Sequence, residues 1–276
     1  MICLMVHKGV LDSTYSNATQ IIMTMSPSEH HHHATQGQAH DYVQANRNFF
    51  NTSDSAELDE HPVFLEFANT VGKSLREVYP FYPSRTTALD FACGSGLNTR
   101  PYAPYVKSVL GVDISQKMLD RYTKQAHDNG LADKMSCVCT ELKGEASELD
   151  GVKFDVITCV MAYHHFSSAK DITSMLVRFL KPDGMLLVVD IEAPTPNLSS
   201  SSTSESHARP PATIHGLENL DYVAHQHGFK VEEMKEFFEG AGLVSFDMKH
   251  LTHVNFEGRF DVDVFLAKGV KPSKES

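Results

Sequence analysis

The stretch Ala88-Leu-Asp-Phe-Ala-Cys-Gly-Ser-Gly96 joins an apolar, strand-like run to a glycine-rich turn. Glycine has no side chain and tolerates unusual backbone angles, so such a turn lets the backbone approach a nucleotide-like ligand closely. The spacing Gly94-x-Gly96-x-x-Thr99 departs from the dinucleotide fingerprint, which has a third small residue where Thr99 stands. Alone, the turn predicts close packing of a strand on a helix as readily as it predicts a cofactor site.

Two aspartates favour the cofactor site. Asp90 lies at the end of the strand that precedes the turn, and Asp113 follows Gly94 by 19 residues, at the end of the next apolar run. In nucleotide-binding βαβ units, an acidic residue about 20 residues after the first glycine binds the ribose hydroxyls. Either aspartate could instead cap a helix. The two aspartates alone therefore do not distinguish a cofactor site from helix capping.

From Arg85 onward, short apolar runs alternate with amphipathic stretches, which is typical of βαβ units and of a parallel sheet covered on both faces. The link Asn255-Phe-Glu-Gly258 between two strand-like runs predicts an antiparallel hairpin at the sheet edge. The fold class is thus α/β, with a doubly wound, seven-stranded, mostly parallel sheet and a C-terminal antiparallel hairpin. The expected strands are Thr86–Phe91, Ser108–Asp113, Met135–Thr140, Phe154–Cys159, Met185–Asp190, Val244–Val254 and Phe260–Ala267. The expected helices are Thr99–Val106, Gln116–Asn129, Lys170–Leu180, Leu217–Gln226 and Val231–Gly240, with Lys181-Pro-Asp-Gly as a turn.

Composition divides the chain into segments. Residues 1–40, which include a run of four histidines, are expected to be a disordered N-terminal tail, and residues 41–83 to form N-terminal helices that cap the site. The main domain is expected over residues 84–270. Within it, residues 192–215 are rich in Ser, Thr and Pro and are predicted to be a mobile insertion. Residues 271–276 are expected to be a tail.

The overall charge and the cysteines restrict the function. A formal net charge of -11 disfavours nucleic-acid binding, which is built largely from Lys and Arg on phosphates. A small neutral or cationic ligand fits better. No apolar run reaches the roughly 18 residues that a membrane span needs, and we expect no secretory signal peptide. The five scattered cysteines are typical of reduced thiols, so a cytoplasmic location is expected.

Four motifs occur in order along the chain: Leu89-Asp-Phe-Ala-Cys-Gly-Ser-Gly96, Gly111-Val-Asp-Ile-Ser-Gln-Lys-Met118, Lys153-Phe-Asp-Val-Ile-Thr-Cys159 and Leu180-Lys-Pro-Asp-Gly-Met-Leu186. With the final hairpin, this series resembles the class I S-adenosylmethionine-dependent methyltransferases, especially the small-molecule branch that includes ubiquinone and menaquinone biosynthesis enzymes and fungal relatives. The resemblance covers roughly residues 42–270. It implies a Rossmann-like methyltransferase fold with S-adenosyl-L-methionine as the cofactor.

The resemblance also implies which residues bind that cofactor. A carboxylate suits the ribose because its two oxygens can accept both hydroxyls. Thr140, in front of the proposed adenine contact, leaves the register of that contact open. The implied residues are Asp90 and Val160 at the methionine part, Gly94 and Gly96 in the turn beneath the cofactor, Asp113 at the ribose, and Ile114, Met118, Glu141 and Leu142 at the adenine.

The doublet His164-His165 follows the fourth strand, at the edge where open α/β sheets bind ligands. An imidazole titrates near neutrality and could take a proton from a hydroxyl or thiol. His164 and His165 are therefore the candidate catalytic residues, although either could instead cap or pack the next helix. His225 and His227 form a second candidate pair, for which exposed positions at a helix end are the alternative.

Other features limit the chemistry. Val160-Met-Ala-Tyr163 lacks the Asn/Asp-Pro-Pro-Tyr/Phe motif with which related enzymes hold a planar amino group. Strand four ends in Cys159, without the carboxylates of magnesium-dependent relatives, and Cys137 and Cys139 lack a second pair for zinc. We therefore expect no metal and a small-molecule acceptor methylated most readily on oxygen, with sulfur, nitrogen and carbon open. The alternatives are an NAD(P)-dependent oxidoreductase and a catalytically silent regulatory relative.

The aromatic residues Tyr42, Phe49 and Phe50 are candidates to cover the cofactor. An aromatic face attracts a cationic sulfonium much as it attracts an ammonium group. Packing in the core explains the three side chains equally well. The sequence therefore leaves both interpretations open for this segment.

Overall fold

The computed structural model describes residues 40–52, 59–194, 213–214, 221–256 and 260–273. The strands of its central sheet are β1 (Thr87–Phe91), β2 (Ser108–Asp113), β3 (Met135–Cys139), β4 (Phe154–Val160), β5 (Leu180–Ile191), β6 (Thr213–Ile214), β7 (Val244–Phe256) and β8 (Phe260–Val270). The α-helices of the described residues are α1 (Tyr42–Thr52), α2 (Pro62–Val78), α3 (Gln116–Asp128), α4 (Ala169–Val177) and α5 (Val231–Gly240).

The sheet order is β3-β2-β1-β4-β5-β8-β6, with β7 paired to β8. Strands β1 to β5 are parallel, and β8 runs antiparallel to both β5 and β7. This confirms the predicted α/β sheet with its C-terminal antiparallel hairpin. The sheet has eight strands rather than the seven expected, because the two-residue strand β6 pairs with β8. The chain runs from β1 outward to β3 and then returns to place β4 on the other side of β1. This reversal creates a crevice at the carboxyl ends of β1 and β4, where open α/β sheets bind ligands.

Both faces of the sheet are buried because successive side chains of each strand point to opposite sides. Ala88 and Val156 pack in the apolar layer that contains α2 and α3, whereas Leu89 and Ile157, one residue further along, pack in the layer with α4 and α5. All four side chains are fully buried. The strands therefore carry continuous apolar runs, as parallel strands covered on both faces require.

One predicted helix is wrong. Residues 97–102 form turns, and only a single 3-10 turn, Ala103–Tyr105, follows where a helix over Thr99–Val106 was expected. Pro101 and Pro104 account for the difference, since proline has no N–H to donate and clashes with the preceding turn of an α-helix. A Cβ at Gly72 of α2 would lie 2.4 Å from Pro101 Cβ, so α2 approaches this loop closely.

The predicted helix Leu217–Gln226 is also not observed over its described part, since residues 221–226 form turns and bends. Residues 217–220 lie outside the described residues. The N–H groups of Ala224 and His225 donate to the backbone oxygen of His164, at 2.9 Å each, instead of to a preceding helical turn. This segment therefore docks onto the loop that follows β4.

Three boundaries differ from expectation. Strand β5 begins at Leu180, so the predicted Lys181-Pro-Asp-Gly turn lies in an irregular part of the strand. Thr213 and Ile214 pair with β8 inside the segment predicted to be a mobile insertion, whose residues 195–212 lie outside the described residues. Lys271, assigned to the tail, donates its N–H to Gly184 O at 2.8 Å.

The predicted N-terminal tail falls outside the described residues, apart from His40. Helices α1 and α2 lie in the segment for which N-terminal helices were expected. None of the helices within the described ranges is long and apolar enough to cross a membrane.

Candidate functional site

A cavity opens at the carboxyl ends of β1 to β4, beneath α1 and beside the start of α4. Six of the eleven residues proposed from the sequence line it, and five do not. Those in the wall are Gly94, Asp113, Ile114, Glu141, Leu142 and His165, whereas Asp90, Gly96, Met118, Val160 and His164 lie outside it. The cavity thus coincides with the crevice that the strand order predicts.

The glycine-rich turn brings bare backbone to the cavity. Gly94 has φ 55° and lines the wall, while Gly96, with φ 78°, faces away from it. A Cβ at Gly96 would lie 2.8 Å from Cδ2 of Tyr122, so this glycine serves close packing of the turn on α3. The two glycines therefore have different roles, which their spacing does not reveal.

Two residues of the wall, Ala92 and Met161, have a strained backbone conformation that the sequence does not reveal. Ala92 has φ 55° and Met161 has φ 54°, and each directly follows a strand, β1 and β4 respectively. Side chains other than glycine rarely adopt these angles, and such outliers cluster where a ligand or a catalytic group must be positioned. Both residues line the cavity. Neither residue type carries a signal that could have identified it.

Asp113, at the end of β2, is a carboxylate of the wall whose two oxygens are both held by backbone N–H groups. Its Oδ2 accepts the N–H of Gly94 at 2.9 Å, and its Oδ1 accepts the N–H of Ser115 at 2.9 Å. Burial raises the pKa of Asp113, and these two N–H groups oppose the rise. A carboxylate has about four acceptor positions. Since the backbone occupies two, one position on each oxygen is left for a pair of hydroxyls.

Asp90 is buried outside the wall, and its carboxylate accepts hydrogen bonds from two hydroxyls. These come from Thr99 and, at 3.1 Å, from Thr158. Tyr102 Oη in turn lies 2.9 Å from Thr158 Oγ1. Burial raises the pKa of Asp90 to about 6, and the Thr99 bond opposes the rise. The carboxylate is therefore held inside the domain between β1, β4 and the loop after Gly96.

We expect Asp90→Asn to stabilise the protein at pH 8 and not at pH 4. The pKa of Asp90 is about 6 in the folded chain against an ordinary 3.8, so the folded state binds the proton more tightly. Ionisation therefore costs stability as pH rises from about 4 to 6, reaching about 3 kcal/mol above pH 6. Asparagine does not ionise, and both hydroxyl partners can also accept. Urea unfolding of both proteins at the two pH values measures the effect.

Asp155→Asn is the matched control. Burial raises the pKa of Asp155, but the Thr87 N–H and hydroxyl and the Lys181 ammonium outweigh it, so the pKa is lowered. This substitution should destabilise the protein at pH 8 and lose its effect as pH falls. A pH-independent difference between Asp90→Asn and the original protein would contradict the burial argument.

The part of the wall near β2 and β3 has apolar side chains and one glutamate, Glu141. Ile114 and Leu142 line it, and Leu142 is buried. Glu141 Oε2 lies 3.6 Å from Arg47 Nη2 of α1, and Lys143 also pairs with Glu141. This end can hold a flat apolar group between aliphatic side chains. Met118 and Val160, proposed for the same cofactor, are instead buried in the core.

His165 lies on the cavity side of the doublet, at the end near β4. Its Nδ1 is 3.0 Å from the backbone oxygen of Tyr222, and because a carbonyl only accepts, Nδ1 carries the proton. Its Nε2 is buried and has no hydrogen-bond partner. Burial lowers the pKa of His165 well below 6.5, with His164 adding to the effect. The ring is therefore neutral near pH 7, with a lone pair on Nε2.

His164 does not line the cavity. Its Nδ1 lies 2.8 Å from Oδ1 of Asp190, which is fully buried at the end of β5. The other oxygen of Asp190 accepts the N–H of Tyr163 at 2.8 Å. His164 therefore anchors the 3-10 turn Tyr163–His165 to β5 and positions its neighbour. The second candidate pair, His225 and His227, is absent from the cavity wall.

Helix α1 closes the cavity from above. Tyr42 and Phe50 line the wall, while Phe49 stacks on Tyr222 with ring centroids 3.8 Å apart. Asn46 is 6% exposed, lines the wall and donates from Nδ2 to the Tyr222 backbone oxygen at 2.9 Å. Asn46 is a site residue that the sequence does not identify, because one polar residue on an amphipathic helix carries no recognisable motif.

The charged side chains that line the wall are acidic. Asp113, Glu141 and Asp171 line it, and among the described residues no Lys or Arg does. Arg47 and Lys143 pair with Glu141 from outside the wall. Such a cavity favours a cationic or neutral ligand over an anionic one. No group of three or more His, Cys, Asp or Glu side chains within the described ranges could hold a metal ion.

The sequence is similar to those of known methyltransferases. Residues 89–188 match the family model described as "Methyltransferase domain". The chain is 31% identical over 164 residues to the uncharacterized methyltransferase C1347.09 of Schizosaccharomyces pombe, spanning 58% of this chain and 54% of that protein. It is 25% identical over 215 residues to the ubiquinone biosynthesis O-methyltransferase of a Chelativorans strain, spanning 74% and 78% of the two chains.

Solved structures agree on the fold. YcgJ of Bacillus subtilis superposes with a TM-score of 0.51 at 17% identity, covering 74% of this chain and 98% of that one. The N-methyltransferase NodS of Bradyrhizobium japonicum, solved with S-adenosyl-L-homocysteine, gives 0.55 at 14% identity, covering 84% and 99%. The chain spans about half the length of the fission yeast relative and 41% of a Bacillus subtilis relative.

Proposed function

We propose that this chain, which is a member of the class I S-adenosylmethionine-dependent methyltransferase family, transfers a methyl group from S-adenosyl-L-methionine to an oxygen of a small-molecule metabolite. The observation that carries the proposal is Asp113. Its two oxygens are each fixed by one backbone N–H, at Gly94 and Ser115, and each keeps an acceptor position for a ribose hydroxyl.

The remaining wall fits the same cofactor. Gly94 presents backbone without a side chain, and Ile114 and Leu142 offer apolar surface for a flat base. The carboxylates of Asp113 and Asp171 favour a positively charged ligand, whereas Glu141 is partly neutralised by Arg47 and Lys143. Tyr42 and Phe50 add aromatic rings, which attract cations through their faces.

When bound, S-adenosyl-L-methionine supplies a methyl group on a positively charged sulfur. The protein has to align the acceptor oxygen, exclude water and remove one proton. His165 is suited to the last task, because its neutral ring carries a lone pair on buried Nε2. His165 Nε2 would accept the hydroxyl proton of the methyl acceptor as its oxygen is methylated.

Helix α1 would keep water out of this step. It covers the cavity with Tyr42, Phe50 and Asn46. Side-chain contacts hold the helix to the rest of the domain at both ends of the cavity. Arg47 pairs with Glu141 on the β3 side, and Asn46 bonds the Tyr222 carbonyl on the β4 side. His164 acts as a positioning residue through its bond to Asp190.

A turnover screen tests the proposal. The purified protein is incubated with S-adenosyl-L-methionine and a panel of neutral hydroxylated metabolites, and S-adenosyl-L-homocysteine and the methylated product are measured by mass spectrometry. We expect product methylated on oxygen together with an equal amount of S-adenosyl-L-homocysteine. Cofactor binding without turnover on any acceptor would support a silent relative, and acceptor-dependent oxidation of NADPH would support an oxidoreductase.

A further inference from the structure

Asn46 has a fixed orientation that leaves one atom unused. Its Nδ2 lies 2.7 Å from the Tyr42 backbone oxygen and 2.9 Å from that of Tyr222. Both partners are carbonyls, which only accept, so the amide nitrogen must face them. The amide oxygen Oδ1 therefore points the other way, where it is buried and has no hydrogen-bond partner. Leaving a buried acceptor unpaired destabilises the folded protein.

The same carbonyl orients His165. The Tyr222 oxygen accepts from Asn46 Nδ2 at 2.9 Å and lies 3.0 Å from His165 Nδ1. One backbone atom therefore fixes both side chains, and each is left with a buried, unpaired acceptor: Asn46 Oδ1 and His165 Nε2. Both residues line the cavity and are at least nine-tenths buried. A ligand with two neighbouring donors would satisfy both atoms.

These acceptors lie at the end of the cavity away from the ribose-binding carboxylate. Asp113 ends β2, whereas the turn that carries His165 follows β4, and β1 separates β2 from β4 in the sheet. A cofactor whose ribose is held at β2 and whose base lies toward β3 directs its other end to β4. Asn46 and His165 therefore line the end of the cavity that remains for the methyl acceptor.

Rings and charge limit what fits there. Phe50 and Phe166 line the cavity, and Phe50 lies edge-on to His165 with centroids 5.5 Å apart. Asp171, at the start of α4, adds a carboxylate, and no lining residue is Lys or Arg. A flat ring fits between aromatic side chains. A carboxylate or phosphate group would be repelled and would find no cationic partner.

We propose that Asn46 and His165 together select the methyl acceptor, which is an uncharged, flat molecule with two neighbouring hydrogen-bond donors. One donor binds Asn46 Oδ1, and the other is the hydroxyl that binds His165 Nε2. Asn46 is thus a specificity residue that the family resemblance does not assign. The inference rests on the proposed function, because it takes the β4 end of the cavity as the acceptor subsite.

Three small probes test the selection. Catechol has two neighbouring hydroxyls, phenol has one, and salicylate replaces one of the two with a carboxylate. Each is titrated calorimetrically into the protein saturated with S-adenosyl-L-homocysteine. We expect catechol to bind about 10-fold more tightly than phenol, the effect of one hydrogen bond, and salicylate to bind at least about 10-fold more weakly than catechol.

Variants of α1 assign the preference to Asn46. In Asn46→Leu, a side chain of similar size without an acceptor, catechol should lose its advantage while phenol affinity stays within about threefold. Asn48→Leu is the matched control, since Asn48 is exposed on the same helix. Affinity for S-adenosyl-L-homocysteine, measured on each variant, reports whether the domain is folded.

The outcomes separate the two proposals. Equal binding of catechol and phenol, salicylate as tight as catechol, or no catechol binding at millimolar concentration would overturn the selection in the original protein, whatever the variants do. A catechol preference that persists in Asn46→Leu while cofactor affinity falls would place Asn46 at the cofactor and also overturn it. Failure of the original protein to bind S-adenosyl-L-homocysteine would contradict the proposed function instead.

Discussion

Replacing Asp113 with alanine is expected to weaken binding of S-adenosyl-L-methionine and S-adenosyl-L-homocysteine by at least about 100-fold. The substitution removes two hydrogen bonds from an ionised acceptor, each worth about 1.5–3 kcal/mol. It also frees the N–H of Gly94, which the carboxylate holds at 2.9 Å, so the turn loses an anchor. Calorimetric titration with S-adenosyl-L-homocysteine measures the loss without turnover.

Asp155→Ala is the control for this variant. Asp155 also accepts a backbone N–H, from Thr87 at 2.7 Å, but it lies at the start of β4, at the opposite end of the parallel strands. Its removal should lower stability and leave cofactor affinity within about threefold, because no ligand contact is lost. Equal affinities in Asp113→Ala and the original protein would show that the carboxylate serves only the glycine turn.

His165→Phe is expected to lower kcat by about 100-fold once an acceptor is identified. Phenylalanine keeps a ring between Phe50 and Tyr222 but has no lone pair to take the hydroxyl proton. General bases contribute about 10²–10⁴-fold, and the lowered pKa of His165 makes it a weak base, so the lower end applies. Affinity for S-adenosyl-L-homocysteine should change little.

The pH dependence of kcat is a second test of His165 as the base. Burial lowers its pKa well below 6.5, so protonation removes the base only at acidic pH, and kcat should stay level as pH falls through 6.5. His225→Phe is the control: that ring is also partly buried with a lowered pKa, but it does not line the cavity. A large loss of kcat in His225→Phe with none in His165→Phe would assign the base to the other pair.

The strands and the position of Asp113 beside the glycine-rich turn could be predicted because both depend on short-range patterns. Apolar runs bounded by turn residues locate β1 to β4, and a carboxylate that ends β2 necessarily lies near the turn that ends β1, since parallel strands end at one edge. Asp113 and Gly94 therefore meet as their spacing implies, and the bond between them is 2.9 Å long.

The β4 end of the cavity, proposed as the acceptor subsite, could not be predicted in the same way. Its geometry depends on the Tyr222 backbone oxygen, which any residue could supply, and on the left-handed backbone of Ala92 and Met161, which no side chain signals. The helix expected at Thr99–Val106 was wrong because Pro101 and Pro104 have no N–H to donate and clash with a preceding helical turn. His164 and His165 look alike in the sequence, and only the fold directs one to Asp190 and the other to the cavity.

The most direct test of cofactor identity is calorimetric titration of the original protein with S-adenosyl-L-homocysteine and, separately, with NADPH. The geometry of Asp113, the bare backbone at Gly94 and the negative wall predict one S-adenosyl-L-homocysteine per chain and no heat from NADPH, whose phosphates the wall carboxylates repel. Tight NADPH binding without a response to S-adenosyl-L-homocysteine would contradict the assignment of this cavity to a methyl donor.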